Sequence, residues 1–188
     1  MALALSLALA GCTGEGAATP TTTPTVSPST SPTPTPSPTP ETPQPPMRPE
    51  AMATNDEAGA VAAAQYFITD LYDYMFASGD VTEWSALSDD GCNFCNSILG
   101  LVDEMNAAGE TEKSDPTAIE SVEYSTLIDD NRYGVTLVAQ QGDSARIDSA
   151  GNVVETSSGT RYSINFAIAW TGGWSILAVD AIPVEGTR

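Results

Sequence analysis

The sequence predicts an α+β domain in which helices come first and pack on a curved antiparallel sheet. Two changes of rhythm carry this reading. Between residues 54 and 109, apolar side chains return at intervals of three and four, the helical period. From Thr117 onward they return at every second position, and Asp130-Asn131 and Gly172-Gly173 stand between successive runs as turns. Helical runs followed by strand runs give α+β rather than an alternating architecture. Ahead of this region the composition is unlike that of a folded domain. The chain therefore divides into residues 1–11, residues 12–50 and a single domain over residues 51–188.

Residues 1–11 are almost all Ala and Leu, which suits the apolar part of a signal peptide. They are too few to span a hydrocarbon core, which takes about 20 apolar residues. The basic residues expected ahead of such a run are absent, as they would be if the true start lay further upstream. Leu9-Ala10-Gly11-Cys12 resembles the lipobox of bacterial lipoproteins. The resemblance implies that Cys12 carries diacylglycerol and becomes the first residue of the mature protein. Two acyl chains give durable attachment where one does not. The expected setting is thus extracytoplasmic, with the membrane reached through lipid.

Residues 12–50 are mainly Thr, Pro and Ser, with Ser31-Pro32-Thr33-Pro34-Thr35-Pro36-Ser37-Pro38-Thr39-Pro40 at the centre. Alternate prolines remove backbone donors and fix φ, so neither helix nor sheet is expected. An extended polyproline-like chain of this length reaches on the order of 100 Å, enough to cross a cell-wall layer.

The domain begins with Thr54-Asn55-Asp56-Glu57, which has the spacing of a capping box. Val61, Ala64, Ile68, Leu71, Tyr72 and Met75 follow as one helical stripe, with Asp70 and Asp73 on its wetter side and Gly79 as the stop. Asp80-Val81-Thr82-Glu83 starts a short helix bearing Trp84 and Leu87. A third helix carries Ile98, Leu99, Val102 and Met105 and ends near Gly109, after which residues 109–116 read as a polar loop. Val122, Tyr124 and Thr126 alternate in the first strand, and Tyr133, Val135, Leu137 and Ala139 in the second. Residues 141–158 are polar and leave two readings open: a hairpin in which 145–148 and 153–156 pair across Gly151-Asn152, or a loose loop. Tyr162, Ile164, Phe166, Ile168 and Trp170 form the clearest alternation, and residues 174–182 return as a last strand apolar enough to be central or covered on both sides.

This order looks like the cone of the nuclear-transport-factor-2-like (NTF2-like) and cystatin-like group. The lipobox, the Thr/Pro-rich stretch, Gly59-Ala60-Val61-Ala62-Ala63, Tyr66-Phe67 and the pair Cys92 and Cys95 are together similar to a family of actinobacterial lipoproteins, over about residues 45–183. That resemblance implies fold and location and no activity, and fold alone does not choose a function.

Cys92 and Cys95 have three uses open to them. A zinc site needs two further soft or imidazole ligands, and the chain has no His and only one other Cys. Redox exchange is opposed by Asp89 and Asp90, which raise a neighbouring thiolate's pKa. A structural disulfide outside the cytosol suits the pair best. With no His, a serine or cysteine nucleophile lacks its usual base, and Lys113 is the only lysine. No loop has Walker spacing and no acidic run has the EF-hand pattern. No catalytic residue, metal or cofactor is expected. The formal net charge of -19, from 25 acidic and 6 basic residues, leaves no basic patch for nucleic acid. Tyr66, Phe67, Trp84, Tyr124, Phe166 and Trp170 are the side chains expected to line a pocket for a small apolar ligand, unless they simply fill the core. Trp174, beside the glycine turn, reads as an exposed contact residue. The expected role is a binding module for a ligand or an envelope protein. A carboxylate and tyrosine enzyme and a wall spacer are the alternatives.

Overall fold

The computed structural model describes residues 43–184. Leu9, Ala10, Gly11 and Cys12, and the proline-rich stretch as far as residue 42, lie outside the described residues. Among the described residues no helix is long and apolar enough to cross a membrane.

A short 3₁₀ turn over Glu50–Ala53 leads into α1 (Glu57–Tyr66). Its cap is Asp56, whose carboxylate accepts the Gly59 N–H at 2.8 Å. Thr54, the cap expected from spacing, instead turns its hydroxyl back to the Ala51 carbonyl. A π-helical turn over Phe67–Leu71 separates α1 from α2 (Tyr72–Ser78). One extra residue in a turn advances the helix face by about 100°. Phe67, Ile68, Leu71 and Met75 are all buried around it. Gly79 ends α2 at φ 73°, a conformation that favours glycine. The Thr82 N–H bonds the Asp80 carboxylate at the start of α3 (Thr82–Leu87). Helix α4 (Asn93–Ala108) then runs to Gly109, again left-handed at φ 69°.

The strands form two sheets. Strands β2 (Ala118–Asp129), β3 (Arg132–Gln140), β6 (Arg161–Trp170) and β7 (Trp174–Pro183) pair antiparallel in the order β2-β3-β6-β7. Strands β1 (Thr111–Ser114), β4 (Ser144–Ile147) and β5 (Val153–Ser157) make a smaller antiparallel sheet in the order β1-β4-β5. Strands β4 and β5 form a hairpin, the first of the two readings open for residues 141–158. Strand β1 falls in the stretch expected to be a loop.

The expected cone is not present. The larger sheet is open, with β2 and β7 as its edges, and neither sheet closes or curls strongly. The reason lies in the pairing: β4 and β5 leave the main ladder to pair with β1, so no strand is left to carry the sheet round from β7 to β2. Strand β7 is accordingly an edge strand rather than a central one. Its free edge carries one parallel bridge, between Ile176 and Ser88, and Ala178, Asp180 and Ile182 remain exposed along it.

The core sits between the helices and the inner face of the larger sheet. Tyr133, Val135, Leu137 and Ala139 of β3 and Ile164, Phe166 and Ile168 of β6 are buried there, opposite Ala60, Ala64, Phe67, Leu71 and Met75. Alternation along a strand sends every second side chain to one face, which is why these positions were readable.

Candidate functional site

Cys92 and Cys95 form a disulfide. Both residues are fully buried, and the Cys92 sulfur accepts the Cys95 N–H at 3.2 Å, so the bridge also caps the first turn of α4. The Trp84 indole N–H donates to the Cys95 carbonyl at 3.3 Å, and the Trp84 ring stacks on Phe67 with centroids 3.8 Å apart. A bridge this deeply buried has no path for an exchanging thiol. Its place is structural: it closes the first turn of α4, and Trp84 links that turn to α3 and, through Phe67, to the π-helical turn.

Of the six aromatic side chains expected at a pocket, the five that are described do not converge on one. Tyr66, Phe67, Trp84 and Phe166 are buried in the core, where Tyr66 also donates its hydroxyl to the Pro46 carbonyl at 3.2 Å. Burial from water holds the Tyr66 phenol up at about 12. Tyr124 is on β2, and its side chain is not described. Trp170 is half-buried and borders a shallow groove with Arg48, Pro49 and the Gly172-Gly173 turn. Trp174 is buried, not exposed. Its indole N–H bonds the Met52 carbonyl at 2.9 Å, and its ring meets those of Tyr133 and Trp170 edge-on.

Other residues enclose the cleft that is present, which has two lobes. The first, about 280 Å³, is lined by Ile68, Tyr72, Phe94, Thr117, Ala139, Gln141, Tyr162, Ile164 and Ala181. It opens because small side chains, Ala139 and Ala181, stand on the sheet opposite the π-helical turn. The second, about 550 Å³, lies towards the small sheet. Tyr72, Phe76, Leu101 and Met105 form its helical wall, and Glu112, Ser144, Arg146, Glu155 and Thr160 face them. Tyr72, Gln141 and Tyr162 line both lobes, so an apolar cavity and a more polar one lie side by side.

Charge is unevenly distributed along it. Arg146 is held between Glu110 at 3.1 Å and Glu155 at 2.6 Å. Burial raises the Glu112 carboxyl above the ordinary range, opposed by a hydrogen bond with Ser144 and by Arg146. Beside the apolar lobe, burial pushes Asp73 up to about 6, although the Thr117 N–H donates to it. Tyr72 is raised further, by burial and by the neighbouring charges of Glu112 and Asp73, and stays a neutral hydroxyl.

Among the described residues no group of His, Cys, Asp or Glu is gathered closely enough to hold a metal ion. The adjacent acidic pairs Asp89-Asp90 and Asp103-Glu104 are exposed on a loop and on α4. Sequence reasoning missed Gln141, Tyr162 and Glu112 as cleft residues. Tyr72 and Tyr162 are the available signal, since a tyrosine on an otherwise apolar stripe brings a hydroxyl that needs a partner.

A family model described as a family of unknown function (DUF6318) matches residues 31–180. No curated protein matches the sequence. Among solved structures, the intermembrane space region of the chloroplast protein ARC6 is similar at a TM-score of 0.52 and 14% identity, over 69% of this chain and 98% of that one. A putative dehydratase of the NTF2-like family from Streptomyces avermitilis gives 0.44 at 14% identity, over 69% and 96%. A cystatin-like domain of unknown function from Nostoc punctiforme gives 0.41 at 12%, over 71% and 81%. The first likeness speaks to fold alone, and the other two carry no argument.

Proposed function

We propose that this chain, which belongs to the family of unknown function DUF6318, is the binding domain of a lipid-anchored extracytoplasmic protein. Its ligand is a small molecule with one apolar and one polar end. The observation that carries the ligand reading is that an apolar lobe and a polar lobe adjoin, with Tyr72, Gln141 and Tyr162 in the lining of both. Binding sites are typically apolar clefts with a few placed polar groups. Here the polar groups are confined to one end, which fixes the direction in which a ligand lies.

Two features support the location. Leu9-Ala10-Gly11-Cys12 closes an apolar run and precedes a proline-rich spacer. The disulfide of Cys92 and Cys95 belongs to an oxidising compartment. In this reading Cys12 takes the lipid, the proline-rich stretch that follows it holds the domain clear of the bilayer, and the cleft faces the envelope.

Location and cleft are tested separately. Cys12→Ser should move the protein from the membrane fraction of its host to the soluble extract, and retention in the membrane would remove the anchor. For the cleft, 3,3-dimethylbutan-1-ol is a neutral apolar probe. It should shift the methyl resonances of Ile68, Ala139, Ile164 and Ala181 in the full chain, and Ala181→Leu should abolish that shift. Shifts spread elsewhere on the surface, or unchanged in the variant, would sink the ligand reading.

A further inference from the structure

We propose that the polar lobe receives the head of an organic ammonium compound, held by the carboxylate of Glu112 beside the rings of Tyr72, Phe76 and Tyr162, with Glu155 adding to the negative field of the lobe. The inference rests on the cleft reading above and names the chemical class of its ligand.

The charge balance of the lobe comes first. Three ionised side chains line it: Glu112, Glu155 and Arg146. Arg146 is already committed to two carboxylates, Glu110 and Glu155. Glu112 accepts from Ser144 and has no ion pair among the described residues. Counting Glu110, three carboxylates surround one guanidinium, so the lobe is net anionic within a chain of net charge -19. An anionic head would enter against that field, and a cationic one with it.

Aromatic side chains line the same lobe as the carboxylates. Tyr72 and Phe76 stand one turn apart on α2 with ring centroids 4.7 Å apart, and Tyr162 faces them from β6. Aromatic faces attract cations electrostatically within about 6 Å, and several rings around one lobe are the arrangement that recognises alkylated ammonium groups. The two elements complement each other: rings suit the methyl-covered surface of the head, and the carboxylates its charge. The apolar lobe, reached through Tyr72 and Tyr162, takes the alkyl part.

Protonation supplies an independent readout. Glu112 is faced by Ser144 and Arg146 from β4, Glu155 from β5 and Tyr72 from α2. Asp73 is faced by Ser114, Glu112 and Thr117, with Asp70 on its own helix. A cation entering the lobe favours the ionised form of these acids, so binding should release protons and tighten as pH rises.

The experiment titrates the full chain with butyltrimethylammonium, with 3,3-dimethylbutan-1-ol and with butyl sulfate, by calorimetry and by methyl shifts of Ile68 and Ala139. The ammonium probe is expected to bind at least tenfold more tightly than the alcohol, and the sulfate not at all. Glu112→Gln should weaken ammonium binding about five- to tenfold without moving the alcohol affinity. Glu155→Gln gives a second reading should the first variant fold poorly. Ammonium affinity should fall severalfold between pH 7.5 and pH 5. Equal affinity for alcohol and ammonium, or a preference for sulfate, overturns the ammonium class while leaving the cleft reading intact. Failure of every probe to move the cleft methyls overturns both.

Discussion

Asp73→Asn isolates the cost of keeping a carboxylate on the inner side of α2. In the folded chain burial raises Asp73 to about 6, from an ordinary value of 3.8. Between these values the native state holds a proton that the unfolded state has lost. Stability attributable to this group therefore falls as pH rises through that window and is flat above it. A gap slightly above two pK values, at about 1.4 kcal/mol each, is roughly 3 kcal/mol. Asp73 keeps some contact with water, and solvent screening reduces this to about 1–2 kcal/mol. Asparagine keeps the shape and an oxygen to accept the Thr117 N–H, and it carries no charge. Asp73→Asn should thus be more stable than the parent by about 1–2 kcal/mol at pH 8, and its advantage should vanish near pH 3.5. Urea unfolding at pH 3.5, 5, 6.5 and 8, followed by tryptophan fluorescence, measures the difference directly. A variant destabilised by the same amount at every pH would show that Asp73 is held by its hydrogen bonds, and that the burial argument is wrong.

Three further outcomes follow from particular contacts. A Cβ added at Gly59 would stand 2.1 Å from the Thr54 carbonyl oxygen and 2.9 Å from the Trp174 ring, so Gly59→Ala should cost about 1–3 kcal/mol in urea unfolding, against the usual gain from Gly→Ala in a helix. Trp84→Phe can keep an aromatic stack on Phe67 but loses the indole bond to the Cys95 carbonyl. It should cost about 1–2 kcal/mol, whereas Trp84→Ala should cost about 3–5; equal losses would mean that stacking contributes nothing. Because Cys92 and Cys95 are fully buried, reductant and iodoacetamide should label neither in the native protein and both in denaturant, and labelling in the native state would contradict the sealed bridge.

The parts of the fold that were readable are those where burial follows a simple period. Tyr133 to Ala139 and Ile164 to Ile168 alternate because one face of each strand meets the helices, and Gly79 and Gly109 mark helix ends because left-handed backbone favours glycine. Strand β1 was not readable. Thr111-Glu112-Lys113-Ser114 has no apolar member, and its pairing with β4 is specified by partners 30 to 36 residues away. Sheet closure was not readable either. Alternation says which way a side chain points and nothing about which strand lies beyond an edge. Phe67 and Trp84 were visible as large aromatic residues, but size does not separate core from cleft. The cleft arises where Ala139 and Ala181 are too small to fill the space left by the π-helical turn, a property of opposing positions rather than of any run of sequence.

The segment ahead of α1 is fastened to three distant places: Pro46 to Tyr66, Arg48 to Glu83, and Met52 to Trp174 at the start of the final strand. Mechanical load entering the domain from its N-terminal side therefore meets these fastenings in succession before it reaches the first helix. The last of them hands the force to the turn between β6 and β7, whose ladder of antiparallel bonds shares it among many residues. A pull applied at this end would have to break these contacts before it could begin to unwind the first helix.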